Sequence, residues 1–328
     1  MSGKVLIIRL SAMGDVAMTV PVIQKLIQTY PDIQFTLLTR TFFFPIFEHT
    51  TPSLKLIAID DYLQRGFLGL FSLSKKLRKH RFTAIADLHN VLRTNVLKIL
   101  LYDLSLQWAT LNKNRAARKK LIGKTKRQLI QPLLPIYKLH QQVFEKLNLP
   151  IFLDEELLFN DSKKINAIGL APGSKHHTKN WENKNNEKLI AYISQNTDTT
   201  VYLFGDPNSE KEMLDTLAKG NEQVETTFHL SLSEQLQIIE KLKVMVSMDS
   251  SNMHLASAVG TPVLSVWCAT SPLAGFLGYG QDKTNVVSLN LDCSPCSIYG
   301  NKKCWRGDLA CTKIPIQLIQ EKLLPFIE

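Results

Sequence analysis

The apolar residues of this chain gather in short unbroken runs separated by longer stretches of helical period. The first run, Val5-Leu6-Ile7-Ile8 within residues 4–10, lacks the alternation of a half-exposed strand and predicts a strand covered on both faces. Residues 16–30 show a helical pattern with Pro21 in its first turns, where a missing N–H is tolerated, and residues 33–39 predict another strand. Strands are predicted again at 56–59 and 82–87, with helices over 68–79 and 91–102. The alternation weakens between 112 and 134 and resumes after a polar stretch at 154–164. There the predicted strands are 165–171, 200–204, 244–247 and 263–267, and the helices 186–195, 209–219, 233–241 and 252–259. Ser231 and Glu234 have the spacing of a capping box at the third of these helices. Strands alternating with helices imply parallel sheets covered on both faces, so the expectation is α/β with two Rossmann-like domains, residues 1–160 and 161–328. Such a doubled pattern places a ligand in a central cleft at the carboxyl ends of the strands.

Composition narrows the partners. The 328 residues carry 39 Lys and Arg against 29 Asp and Glu, a net charge of +10, which suits a phosphorylated sugar, a nucleic acid or an anionic membrane surface. No run approaches the roughly 18 to 20 apolar residues of a membrane span, and Arg9 interrupts the apolar start too soon for a signal-peptide core. A cytoplasmic chain is the expectation.

Three predicted strand ends carry loops with candidate chemistry. Ser11-Ala12-Met13-Gly14-Asp15 joins the first strand to the first helix, where backbone N–H groups and the helix dipole favour an anion; Asp15 as a simple helix cap is the alternative. Residues 171–181, Ala-Pro-Gly-Ser-Lys-His-His-Thr-Lys-Asn-Trp, concentrate hydroxyls and cations without the Gly-x4-Gly-Lys-Ser/Thr spacing of a Walker loop. They read as a phosphate loop using Ser174 and Lys179, or as a solvated basic loop. Asp249-Ser250-Ser251 opens a helix and reads as a second phosphate-ready start or as an ordinary N-cap.

Together these segments resemble glycosyltransferase family 9, the ADP-heptose:lipopolysaccharide heptosyltransferases. The resemblance rests on Arg9-Leu-Ser-Ala-Met-Gly-Asp15 with Pro21, on Pro172-Gly-Ser174 with Lys179-Asn-Trp181, and on Asp249-Ser-Ser251 with His254-Leu-Ala256, Gly260-Thr-Pro262 and Ala269-Thr-Ser-Pro272. It implies a GT-B fold with an acceptor-binding first domain and a donor-binding second. It implies Asp15 as general base, with Ser11, Met13 and Gly14 beside the acceptor, and Ser174, Lys179, Asp249, Ser250, Ser251 and His254 on the donor. Gly205-Asp206 and Glu210 resemble the family's nucleoside-contacting segment. Asp87-Leu-His-Asn-Val-Leu-Arg93 resembles an Asp-Leu-Gln-Gly-Leu-Leu-Arg segment, departing from it at His89 and Asn90, and makes Arg93 an acceptor contact. Ser251 stands where the family has Gly, adding bulk near the donor sugar.

The implied reaction is an inverting, metal-independent transfer of heptose from ADP-heptose to a lipopolysaccharide inner-core acceptor of the Kdo-lipid A type. The ADP-sugar is a substrate and no cofactor is required. No Asp-x-Asp occurs in the chain, in keeping with cations and a helix N-terminus taking the leaving charge. A basic run from Lys113 to Arg127, including Arg115 and Lys120, suits an acidic acceptor or is a solvated surface. It lacks the interleaved aromatics expected of a nucleic-acid binder, so no nucleic-acid partner is expected. Rival readings are another nucleotide-sugar transferase, a sugar-nucleotide epimerase on the same scaffold, and a basic nucleic-acid-binding protein. Phe67, Leu68, Leu70 and Phe71 precede Lys75, Lys76, Arg78, Lys79 and Arg81, either a core helix with a solvated basic end or a peripheral contact with the inner-membrane surface. Cys293, Cys296, Cys304 and Cys311 are spaced either for a structural zinc or as free buried thiols.

Overall fold

The computed structural model describes residues 3–122, 131–154 and 163–328. Packing divides the chain into two units, Met1–Asn114 with Ile136–Asp154 and Arg115–Pro135 with Glu155–Glu328.

In the first unit β1 (Gly3–Ile8), α1 (Met13–Ala17), α2 (Val20–Thr29), β2 (Ile33–Thr39), α3 (Phe44–Thr50), β3 (Lys55–Ala58), α4 (Asp60–Leu63), α5 (Gly66–Lys79), β4 (Ala84–Asp87), α6 (Leu92–Leu100) and β5 (Gln107–Thr110) follow in order. The chain then leaves through α7 (Arg115–Leu121), which belongs to the second unit, and returns with α8 (Ile136–Glu145). The strands pair in the order β3-β2-β1-β4-β5, all parallel. Val5 to Ile8 and the whole of β4 are buried, as helices on both faces require. The crossovers from β3 to β4 and β4 to β5 lay α5 and α6 on one face. There Leu70, Leu73, Leu77, Leu97 and Leu101 pack against Leu6, Ile8 and Ile85.

The helix expected over 16–30 is broken in two. Pro21 sits in the first turn of α2 and has no N–H for the Ala17 carbonyl, so the chain restarts at Thr19, whose hydroxyl bonds Val16 O (2.7 Å) and whose carbonyl accepts Ile23 N–H (3.0 Å).

The second unit contains β6 (Ala167–Ala171), α9 (Asn183–Asn196), β7 (Thr200–Leu203), α10 (Lys211–Ala218), β8 (Val224–Thr226), α11 (Leu232–Lys241), β9 (Met245–Met248), α12 (Ser251–Ala258), β10 (Val263–Val266), β11 (Val286–Val287) and α13 (Gln317–Ile327). Their parallel order is β11-β10-β9-β6-β7-β8. The Ser231–Glu234 capping box forms as its spacing predicts, with Glu234 N–H donating to Ser231 Oγ and Ser231 N–H to Glu234 Oε2.

A single cut at 160 therefore misplaces α7. Arg118 lies 5.1 Å from the Phe276 ring centroid and donates to Tyr299 Oη, and Leu133 N–H bonds Leu273 O at 2.8 Å. Gly275, with φ +83°, lets the backbone at Leu134 approach to where a Cβ would meet its carbonyl oxygen at 2.4 Å. These ties hold 115–122 and 131–135 to the second unit although they interrupt the first in sequence.

Candidate functional site

In an open parallel sheet, the loops diverge where strand order reverses, leaving a crevice at the carboxyl ends. In the first unit that point lies between β1 and β4, and the loops leaving these two strands carry Arg9 to Asp15 and Leu88 to Arg93. Arg9 is buried, and its guanidinium is held on three sides. Nη1 donates to Leu88 O at 2.6 Å, Nε to Ser11 O at 2.9 Å, and Nη2 lies 2.5 Å from Asp15 Oδ2. Burying a guanidinium is costly unless it is paired in this way. The Asp15 side chain remains 37% exposed, so it is oriented yet reachable. It does not act as a cap: α1 has no side-chain cap hydrogen bond, and its N-cap residue is Ala12. Ser11, Met13 and Gly14 beside it are partly exposed.

The opposite loop is braced by Asp87, whose Oδ1 accepts the N–H groups of His89 (2.9 Å) and Asn90 (2.8 Å). Asn90 takes φ +49° and donates to Leu111 O, a left-handed position Asn tolerates well. His89 Nδ1 accepts Leu10 N–H at 3.2 Å, tying the two loops together. Burial, then the charges of Arg9 and Lys113, push its imidazole down to about 4. Arg93, exposed in the first turn of α6, lies close enough to act on the same ring.

Sequence reasoning missed His140. It lies on α8, wholly buried beside Arg9, Asp15 and the Met18 carbonyl, and burial followed by Arg9 pushes it down to about 3. The available signal was its place on the apolar stripe Ile136, Leu139, His140, Val143 and Phe144, a pattern that reads as core packing. Both imidazoles are neutral in the fold, whereas in the unfolded chain they take up protons near 6.5. As pH falls from 7 toward 4 the unfolded chain binds protons first and stability is lost, with a slope approaching about 1.4 kcal/mol per pH unit for each histidine. Thermal melts should therefore show a larger loss between pH 7 and pH 5 for the wild type than for His140→Leu. Equal losses would reject the assignment.

In the second unit the strand order reverses between β6 and β9. The loops after these strands carry Lys179 and Asp249, whose Nζ and Oδ2 lie 2.9 Å apart with side chains 13% and 8% exposed. Two residues read separately from sequence thus form one ion pair across the switch point. Lys179 ends a short 3-10 turn, His177–Lys179, fixed by Thr178 Oγ1 donating to Gly300 O (2.5 Å). A Cβ on Gly300, which has φ +75°, would lie 2.4 Å from Lys179 Cγ and Cδ, so the lysine stem rests against bare backbone. Trp181 anchors the loop's end through Nε1 to Ile314 O at 2.8 Å. Ser174 braces the loop internally, donating to Asn180 Oδ1 at 2.6 Å.

Ser250 is the N-cap residue of α12 by position only. It makes no side-chain cap bond, and its Oγ lies 3.1 Å from Ser247 Oγ. The first turn of α12, which includes Ser251 and the buried His254, therefore keeps N–H groups available to an anion. The third loop, after β7, separates two carboxylates that the sequence left equivalent. Asp206 is spent on its own turn, accepting Asn208 N–H and the Ser209 hydroxyl. Glu210 accepts Asp206 N–H, and its Oε1 lies 2.0 Å from where a Gly173 Cβ would stand. Burial raises its carboxyl above the ordinary value.

Arg115 and Lys120 are exposed on α7, which belongs to the second unit. Lys124, Lys126 and Arg127 of the same basic run lie outside the described residues. Cys293, Cys296, Cys304 and Cys311 are free thiols, and among the described residues no three His, Cys, Asp or Glu side chains are grouped as metal ligands. Cys311 and part of Cys296 instead pack into the second unit's core beside Cys268 and Ile314, and burial pushes the Cys311 thiol up to about 11.

A family model described as glycosyltransferase family 9 (heptosyltransferase) matches residues 70–304. The chain is 24% identical over 324 residues to lipopolysaccharide heptosyltransferase 1 of Salmonella typhimurium, covering 90% of this chain and 99% of that protein. It is 22% identical over 279 residues to the lipopolysaccharide core heptosyltransferase OpsX of Haemophilus influenzae, covering 81% and 79%. Its structure resembles the Escherichia coli heptosyltransferase WaaC with ADP, with a TM-score of 0.70, 18% identity and coverage of 98% and 99%. It also resembles a family 9 glycosyl transferase from Veillonella parvula, with a TM-score of 0.72, 16% identity and coverage of 99% and 97%. The fold is the GT-B fold of these enzymes.

Proposed function

Because this chain belongs to glycosyltransferase family 9, we propose that it moves a heptose from ADP-heptose onto a lipopolysaccharide inner-core acceptor by a single inverting displacement. Asp15 accepts the proton of the acceptor hydroxyl. The hydroxyl oxygen bonds to the anomeric carbon as the bond to the ADP oxygen breaks on the opposite face, and ADP departs with the electron pair. The observation that carries this reading is the Arg9–Asp15 contact: a buried guanidinium, fixed by two carbonyls, aims a partly exposed carboxylate at a switch-point crevice. A carboxylate doing no more than capping α1 would not need that scaffold.

On the donor side Lys179 exchanges Asp249 for the diphosphate, and the open first turn of α12 with Ser250 and Ser251 shares the charge that develops on the leaving group. Asp249, released from the lysine, accepts a hydroxyl of the sugar. The donor assignment also draws on one relative in two structures, since WaaC is described with ADP and with ADP-2-deoxy-2-fluoro heptose. With two cationic elements serving the diphosphate, no divalent ion is needed. The test is ADP release from ADP-heptose with and without a Kdo-lipid A type acceptor, each arm repeated in EDTA. Release that depends on the acceptor and is indifferent to EDTA is expected. Activity lost to EDTA and restored by magnesium would overturn metal independence, and donor conversion without acceptor would replace transfer by epimerisation.

A further inference from the structure

Thirteen large apolar side chains are exposed among the described residues, and seven of them fall in the short stretch from Phe67 to Leu104. They stand on the solvent side of the α5 and α6 layer. On α5, Phe67, Leu68 and Phe71 point away from the core while Leu70, Leu73 and Leu77 fill it. On α6, Leu92 and Ile99 are 80% and 75% exposed, while Leu97 is buried. Tyr102 and Leu104 extend the patch beyond the helix. The two helices pack side by side in one core cluster, and Arg78 Nη2 donates to Leu100 O at 2.6 Å between them. A helix apolar on its inward face ordinarily carries polar residues outward; here the outward face is apolar as well.

The charge on this layer is one-sided. Between Arg65 and Lys98 the chain carries eight Lys and Arg and a single acid, Asp87, which is fully buried in the crevice described above. Lys75, Lys76 and Lys79 follow the exposed phenylalanines along α5, and Lys75 Nζ lies 4.6 Å from the Phe71 ring centroid. Long cationic side chains beside protruding Leu, Ile and Phe match an anionic bilayer, into which the apolar groups insert while the ammonium groups stay at the headgroups. A second copy of the chain fits poorly, because a two-fold contact would set these cations against themselves. Nucleic acid would satisfy the charge but not the aliphatic side chains.

We infer that the outer face of α5 and α6 is a docking surface for an anionic lipid bilayer, with Phe67, Leu68, Phe71, Leu92 and Ile99 as the inserting groups and the lysines of α5 as headgroup contacts. The inference goes beyond the transfer reaction and is tested without donor or acceptor. The full chain is sedimented with vesicles of phosphatidylcholine alone and with vesicles containing phosphatidylglycerol. Binding to the second and little to the first is expected. Lys75→Gln with Lys79→Gln should weaken it by about 25-fold, since each basic residue near such a surface contributes about fivefold. Phe67→Ser with Leu68→Ser should weaken it by about tenfold or more. These side chains lie outside the core, so both variants should melt as the wild type does. A Phe71→Trp protein should show blue-shifted emission on the anionic vesicles. Equal sedimentation with both vesicle types, wild-type binding by the two folded variants, or tryptophan emission unchanged on bound vesicles would overturn the inference. So would light scattering showing a dimer that the Phe67→Ser, Leu68→Ser variant breaks.

Discussion

Asp15→Asn should lower the turnover number by roughly 100-fold or more while the dissociation constant for ADP-heptose stays close to wild type. Asparagine keeps the size of the side chain and one oxygen for Arg9, but it cannot take the acceptor's proton. The same substitution removes the counter-charge from a buried guanidinium, which retains the carbonyls of Leu88 and Ser11. Because Asp15 is more than a third exposed, solvent screens the pair, and the stability lost should be about 1 kcal/mol. Turnover at saturating substrates, donor binding by calorimetry and a thermal melt separate the two effects. A folded Asp15→Asn protein with near-normal turnover would reject the catalytic assignment.

Lys179→Met should act on donor and fold together. Without the cation, donor affinity and turnover both weaken, with kcat/KM falling by roughly 100-fold. In the ligand-free protein the change strands Asp249, a buried carboxylate whose ion-pair partner is gone, and removing one member of a buried pair costs about 3 to 5 kcal/mol. The loss of activity is therefore ambiguous unless stability is restored separately. Lys179→Met combined with Asp249→Asn removes both charges and should recover much of the melting temperature. If Lys179 serves the diphosphate, the double variant stays inactive and gains little thermal stabilisation from ADP. Recovery of turnover along with stability would show that the pair is structural only.

Most of the sheet framework was legible because buried parallel strands are short apolar runs, and β1, β4, β6, β9 and β10 each present one. The short edge strands β5 and β8 were not, since only one residue of each is buried and the apolar signal fades. The break between α1 and α2 turned on Pro21, whose effect falls four residues upstream at Ala17. Loop chemistry could be read from residue type and position after a strand, but not its pairing. Nothing in the sequence joins Lys179 to Asp249, separated by 70 residues, because strand order in the sheet makes them neighbours. Nor did spacing distinguish Asp206, absorbed by its own turn, from Glu210, seated against two glycines. Nor could the spacing of the late cysteines choose between a shared ligand set and buried thiols; that Cys311 packs into the same core as Ile314 depends on the tertiary fold.

The passage of the chain out of the first unit at α7 and back at α8 also orders events during synthesis. The first five strands can emerge and pair, yet the Arg9–Asp15 contact has no His140 behind it until the residues up to 145 have left the ribosome. Residues 115–121, already made, must wait far longer, because Phe276 and Tyr299, which receive Arg118, come more than 150 residues later. Domains generally fold as units in the order they are made. Here a basic helix from the middle of the chain stays without its packing partners until late, so a nascent chain stalled before residue 276 carries a finished first-unit crevice and an undocked α7.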